Sequence, residues 1–295
     1  MQTSYSLISS YKNRIAVLDR RLSQTPPEGQ KPPSSEGRQS GPVEYRKLLQ
    51  RFQKYLTEEE RFWIQLVIRL QRLYTLEEAQ PALVSLGIIS TATDGKPIEP
   101  LDTREAHQFP PEHIMSEPRP MSDVQRQIRL SILSKALVCL GDILRYREQY
   151  NESGGRSRVG HEDRPAPAKR GRKRGGNDST PRPRNYTKAK NCYQQARLLV
   201  PSDGNPSHQL AIVATYEKDW FTSIAHCYRA LCVAQPYETA SNNLTVVMKK
   251  VWVAWKQKGP GRNDVAYEGP PKIRLNALHE RMVILHTLWK DGLAS

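Results

Sequence analysis

The sequence predicts an all-α protein, and three observations carry that expectation. No stretch of the 295 residues alternates apolar and polar side chains long enough to make a sheet. Apolar residues recur instead at three- and four-residue steps through most of the chain. A pattern of small and aromatic residues also repeats 34 positions on: Ala189, Tyr193 and Ala196 return as Ser223, Cys227 and Ala230. That interval fits a repeated helical hairpin, a unit that buries its apolar face against the next copy.

Taken in order, residues 4–23 place Leu7, Ile8, Tyr11, Ile15, Leu18 and Leu22 at helical spacing. Residues 25–42, with Pro26, Pro27, Gly29, Pro32 and Pro33, read as a linker. A helical stripe follows through Tyr45, Leu48, Leu49, Phe52, Tyr55 and Leu56. It continues through Phe62, Trp63, Leu66, Val67, Leu70, Leu73 and Tyr74. Between the two halves, Thr57-Glu58-Glu59-Glu60 fits a capping box. The region is therefore either two helices meeting at Thr57 or one long bent helix. Residues 77–87 add a turn or two, and the Pro-rich 91–121 reads as irregular.

Helix resumes near Ser122 and runs to about Tyr150, with Leu130, Leu133, Leu137, Leu140 and Leu144 on its buried face. Residues 185–200, 205–216, 219–234 and 237–257 read as four more helices, broken at 201–204, Lys218 and Pro236. After a loop at 259–272, a last helix covers about 273–290, and the spacing of Trp252, Trp255 and Trp289 favours the core. The organisation is then 1–43, an N-terminal helix and linker; 44–150, a helical region; 151–184, a basic insertion; and 185–295, the repeat-bearing region.

The repeat explains the insertion. In a tetratricopeptide unit the first helix carries a Leu-Gly pair twelve residues before the small residue of the second. Leu210-Ala211 meets this for Ser223, whereas Gly141 of Leu140-Gly141 precedes Ala189 by 48 residues. The excess of 36 is about the length of 151–184, so that tract sits in the turn of a hairpin, where extra loop length costs little. It holds ten Lys or Arg against four acidic residues, and its composition predicts disorder. The cluster Lys169, Arg170, Arg172, Lys173 and Arg174 resembles a nuclear import signal. Such a cluster also contacts nucleic acid through phosphates without reading sequence.

The net charge of +15 and pI near 9.7 favour acidic partners. Cys139, Cys192, Cys227 and Cys232 form no C-x-x-C pair and fall in apolar helical patterns, which predicts buried, reduced thiols. No segment approaches the ~20 apolar residues of a membrane span, and a soluble cytosolic or nuclear protein is expected. No phosphate-binding glycine loop, dinucleotide fingerprint or nucleophile elbow is present. His279-Glu280 lacks the second histidine of a zinc protease helix; His286, seven residues on, shares its helix face. The expectation is a non-catalytic protein without metal or cofactor.

Three blocks resemble a known family: L-G-D-I-L-R-Y-R from Leu140, 185–214 with its A-R-L-L-V-P-S-D-G-N-P-S-H-Q-L-A core, and Y-R-A-L-C-V-A-Q-P-Y-E-T-A-S-N-N-L from Tyr228. They closely resemble the Ever-Shorter-Telomeres/SMG family of telomerase regulators and nonsense-mediated mRNA decay adaptors, over roughly 44–290. The resemblance implies a 14-3-3-like domain built with tetratricopeptide hairpins, followed by an Est-type DNA/RNA-binding region expected to be truncated here. In the family's decay adaptors the 14-3-3-like domain binds phosphoserine peptides in a basic groove. One groove arginine falls on Arg145, with Tyr146 beside it. A guanidinium suits phosphate because it makes bidentate, charge-assisted bonds. The resemblance implies a second cation from the Phe62-Trp63 helix, with Arg69 first and Arg72 next. Read from the residues alone, Arg145 lies on a helix flank, where the ordinary reading is a surface arginine paired with Asp142 or Glu148. Two functions stay open. One is an adaptor, nuclear or shuttling to the cytoplasm, that binds a phosphorylated protein of the mRNA surveillance machinery. The other is a telomerase-associated protein that binds telomerase RNA or single-stranded telomeric DNA.

Overall fold

The computed structural model describes residues 2–23, 35–89, 122–151, 184–258 and 270–293. Its helices are α1 (Gln2–Ser23), α2 (Ser35–Tyr74), α3 (Gln80–Ser85, entered through a 3-10 turn at Glu77–Ala79), α4 (Asp123–Gln149) and α5 (Thr187–Leu199). They continue with α6 (Asn205–Tyr216), α7 (Trp220–Leu231), α8 (Thr239–Lys258) and α9 (Pro271–Leu293). Among the described residues there is no strand, only an isolated parallel bridge between Asp203 and Gln235. The fold is all-α, as the periodicity predicts.

Two local expectations change, and one open choice is decided. Residues 35–42, read as linker, are the first turns of α2, with Pro42 inside the helix. Buried Tyr45, Leu48 and Leu49 anchor the turns that follow. The helix also passes Thr57 without a break, because the Thr57 hydroxyl donates to the Gln53 carbonyl one turn back at 3.0 Å. The capping-box residues therefore lie inside one helix and form no cap. Further on, α7 stops at Leu231, three residues early, and Cys232 beyond it is exposed. The other three cysteines are buried, and burial pushes the Cys192 thiol up to about 12 and the Cys227 thiol to about 11.

The chain divides into two compact units, residues 1–62 with 143–185 and residues 63–142 with 186–295. In the first, α1 packs on the first half of α2 through aromatic rings. Tyr11 stacks on Phe52 at 5.0 Å, and Phe52 meets Tyr150 edge-on at 5.1 Å. Ile8, Ile15, Leu18 and Leu56 fill the space around them. Glu59 accepts from Tyr55 and from Ser4, and burial, its largest cause, pushes the Tyr55 phenol up to about 12. Leu7, counted in the apolar stripe of α1, is exposed.

The second unit is a run of close-packed hairpins. A Cβ added at Gly141 would lie 2.5 Å from the Tyr193 ring, so glycine is what lets α4 and α5 approach. Ser134 donates to the Ala196 carbonyl at 3.0 Å across the same hairpin. In the next hairpin Ser223, the counterpart of Ala189, donates to the Ala211 carbonyl at 3.0 Å and meets the Thr215 hydroxyl. Small residues therefore mark the helix crossings, as the 34-residue pattern requires. The turns after α5 and α7 also join: Gly204 N–H donates to the Gln235 carbonyl and Gln235 N–H to the Ser202 carbonyl, both at 2.9 Å. A Cβ at Gly204 would lie 2.3 Å from the Ala230 carbonyl oxygen. Asp203 and Asp219 accept from the first turns of α6 and α7, and Lys218 between them takes the positive φ of 62° that ends α6.

Candidate functional site

Arg145 and Tyr146 belong to the first unit, near the C-terminal end of α4. Arg145 is only 5% exposed, which corrects the surface arginine that its flank position allowed. Its guanidinium carbon lies 4.6 Å from the centroid of the Tyr146 ring. Lys12, from α1, places its ammonium 5.0 Å from the same ring. Two cations thus lie against one aromatic ring, whose quadrupole attracts each of them. Asp142 and Glu148, the suggested partners, accept hydrogen bonds from the Tyr193 hydroxyl and from the Asn185 N–H, both at 2.7 Å. Nothing in the sequence marked Lys12; only the packing of α1 brings it to Tyr146.

The neighbouring Arg147 is spent within the fold. It pairs with Glu60 of α2, and Gln53 donates to its carbonyl. Burial lowers the pKa of Arg147 from its ordinary value. The first unit also holds an open cleft of about 330 Å3 lined by Arg14, Val43, Glu44, Lys47, Leu48 and Arg51, three cations against one carboxylate. Arg69 and Arg72 belong to the second unit. Arg69 is half-buried, and Arg72 is exposed in the last turn of α2. Lys169, Arg170, Arg172, Lys173 and Arg174 lie outside the described residues.

The sequence reading also missed a second group of cations. Arg197 of α5 and His226 and Arg229 of α7 come close enough to repel one another. Arg229 lowers the pKa of Arg197 in addition to the larger effect of burial. Burial, then Arg197 and Arg229, pull His226 down to about 4, against a smaller opposing pull from Asp219. Arg197 Nε is buried without a hydrogen-bond partner. Neither arginine makes an ion pair among the described residues. Beside them the rings of α7 and α9 pair: Phe221 stacks on His279 at 4.1 Å, and Tyr228 meets His286 at 5.6 Å. Trp289 lies 6.4 Å from His286 and is 61% exposed, against the core position that its spacing favoured. Trp252 and Trp255 are half-buried against the core, stacked at 5.1 Å. Among the described residues no cluster of His, Cys, Asp or Glu could hold a metal ion, and no helix is long and apolar enough to cross a membrane.

Stacked helical hairpins that bring basic side chains together define a helical scaffold of the tetratricopeptide kind. The chain belongs to the Est1 family: the model described as telomerase activating protein Est1 matches residues 1–151, and the Est1 DNA/RNA binding domain matches 189–287. Among individual proteins, it is 27% identical over 199 residues to the nonsense-mediated mRNA decay factor SMG7 of Arabidopsis thaliana, covering 68% of this chain and 14% of that protein. It is 27% identical over 123 residues to telomerase-binding protein EST1A of Danio rerio, 41% of this chain and 6% of that one. SMG7 of Danio rerio is 41% identical over 68 residues, 23% of this chain and 6% of the relative. The chain therefore matches at most 14% of the length of these three relatives. A chain in the structure of the C. elegans SMG5-SMG7 complex is 15% identical with a TM-score of 0.32, over 81% of this chain and 53% of that one.

Proposed function

We propose that this chain is a non-catalytic adaptor that binds a phosphorylated protein partner in nonsense-mediated mRNA decay. The observation that carries the reading is the convergence of Lys12 and Arg145 on Tyr146. A guanidinium held by burial, with an ammonium from a second helix and a phenol between them, supplies both the charge and the directed donors that a phosphoserine needs. The likeness to decay factors supports the same reading. Import into the nucleus would rest on Lys169 to Arg174, and loss of nuclear signal from a fluorescent fusion carrying alanines there would test it.

Fluorescence anisotropy with a phosphoserine peptide and its unphosphorylated twin tests the site. The phosphopeptide alone should bind, and Arg145→Glu should abolish binding. Arg145 is buried, so Lys12→Gln and Tyr146→Phe serve as milder variants, each expected to weaken binding several-fold with the fold intact. Unchanged affinity in all three would defeat the assignment. Arg69→Glu and Arg72→Glu separately test the cation expected from α2.

A second reading, contact with single-stranded nucleic acid, is favoured by the match of 189–287 to a DNA/RNA binding domain and by the uncompensated cations of α5 and α7.

A further inference from the structure

We infer that the cleft between α1 and α2 is a docking groove for an amphipathic helix of a partner protein, with an apolar stripe flanked by carboxylates. Both the site and the ligand differ from the phosphoserine contact proposed above. Lys12 and Arg14 are two residues apart, about 200° around α1, so the helix that turns Lys12 to Tyr146 turns Arg14 elsewhere.

The two helices run antiparallel, because Tyr11 stacks on Phe52 while Leu22 lies beside Gly41. Between them opens the cleft of about 330 Å3. Its apolar lining is Leu48, which is buried, and Val43, which is 50% exposed. Val17, one turn along α1 from Arg14, is also exposed. Arg14 of α1 and Lys47 and Arg51 of α2 supply the charge, and all three are exposed. None of them makes a hydrogen bond or an ion pair among the described residues, and Glu44, the one carboxylate of the lining, pairs with none of them. The cleft thus offers an apolar floor between unanswered cations.

That combination selects the occupant. A free phosphate or a small carboxylate would use the cations and leave the floor in water. Nucleic acid would need rings to stack on, and no aromatic residue lines the cleft. A second copy of this chain would bring the same cations against these, and like charges facing each other oppose association. An extended peptide needs main-chain partners, which helices have already spent on themselves. A helix carries its own backbone hydrogen bonds and lays one face into a groove between two others, with apolar anchors at i, i+3 or i+4, and i+7. Glutamates or aspartates beside those anchors reach Arg14, Lys47 and Arg51.

The test uses the full chain and fluorescein-labelled peptides of about 15 residues, read by anisotropy. The first is built from Ala, Glu and Leu, with the leucines on one helical stripe and the glutamates flanking it. A second has Gln for every Glu, and a third has Ser for every Leu. The first should bind, and each twin should bind at least about tenfold more weakly. Lys47→Glu/Arg51→Glu should lose at least about tenfold, and a fourth peptide with Lys for every Glu should bind that variant better than it binds the natural chain. Val43→Gln should weaken binding several-fold and leave its salt dependence unchanged. Lys188→Glu/Lys249→Glu, which makes the same change of charge in the second unit, should bind as the natural chain does. All five positions are exposed, and circular dichroism checks each variant for its fold. Equal loss in Lys188→Glu/Lys249→Glu overturns the groove, because net charge alone then explains the binding. Equal binding of the Ser twin overturns it in favour of a simple anion site, and failure of the first peptide to bind the natural chain overturns it outright. Self-association of the natural chain that Lys47→Glu/Arg51→Glu abolishes overturns it in favour of a second copy. The phosphoserine peptide should bind Lys47→Glu/Arg51→Glu unchanged; its loss there overturns the separation of the two sites.

Discussion

Two pairs of arginines, one in each unit, are held in contrasting ways. In the first, Arg147 is answered by Glu60, and Arg145 lies buried against Tyr146. In the second, Arg197 and Arg229 press on each other and on His226 with no carboxylate paired to them. The packing differs as well. The first unit is closed by rings, Tyr11 on Phe52 on Tyr150, whereas the second is closed by small residues that let backbones touch. An arginine with an internal partner supports the fold; one without a partner is available to a ligand and a burden until it arrives.

The comparison breaks most visibly at its tightest backbone contact. Gly204→Ala places a methyl group 2.3 Å from a carbonyl oxygen that belongs to the backbone and cannot rotate away. It should cost about 3 kcal/mol, or roughly 6–12 °C in the melting temperature of the second unit. A loss under about 1 kcal/mol would show that the turns have room the structure denies. In the first unit, Glu60→Ala strands the half-buried Arg147 and should cost about 1–2 kcal/mol in urea denaturation, discounted because the arginine is partly solvated.

Acid sharpens the charge side of the comparison. His226 protonates at about 4 in the fold and near 6.5 in the unfolded chain, so between those values the unfolded chain holds the extra proton. Its contribution to stability is complete above pH 6.5 and is lost as the pH falls towards 4. Arg197, Arg229 and Asp219 are the charges that face it. Stability measured from pH 7 to pH 4 should therefore fall less steeply in His226→Gln than in the natural chain; parallel curves would remove His226 from the cluster. The smallest effect tests the contrast directly. Arg229→Ala should change stability by less than about 0.5 kcal/mol or raise it, because it relieves repulsion and breaks no pair. A clear loss would mean that Arg229, like Arg147, is spent on the fold.

Much of the fold was legible because its signals are local. Pro201 and Gly204 punctuate the chain where α5 ends and α6 begins, and α6 occupies the 205–216 that the periodicity gave it. The 34-residue correspondence placed Ser223 and Ala196 at helix crossings, where the structure has them. Thr57 left two helices or one long helix open because a capping pattern and an unbroken helix use the same residues, and the choice depends on whether the hydroxyl turns back to Gln53. The start of α2 misled because Gly41 and Pro42 argue against helix locally while the buried stripe after them argues for it. The charged sites were the least legible. Lys12 stands far along the chain from Tyr146, and Arg197 far from Arg229, so neither pair exists until helices pack. Trp289 shows the limit of spacing: it repeats at the helical interval of a core residue yet faces water.

The joined turns at Ser202–Gly204 and Gln235 have a consequence for how the hairpins come apart. Gly204 and Gln235 belong to turns, and turn amides ordinarily exchange their protons with water quickly. Here each is locked to the opposite turn at 2.9 Å, so neither can exchange until two successive hairpins separate. The seam makes those hairpins one cooperative unit, and their slowest-exchanging protons outside a helix should be found at these two residues.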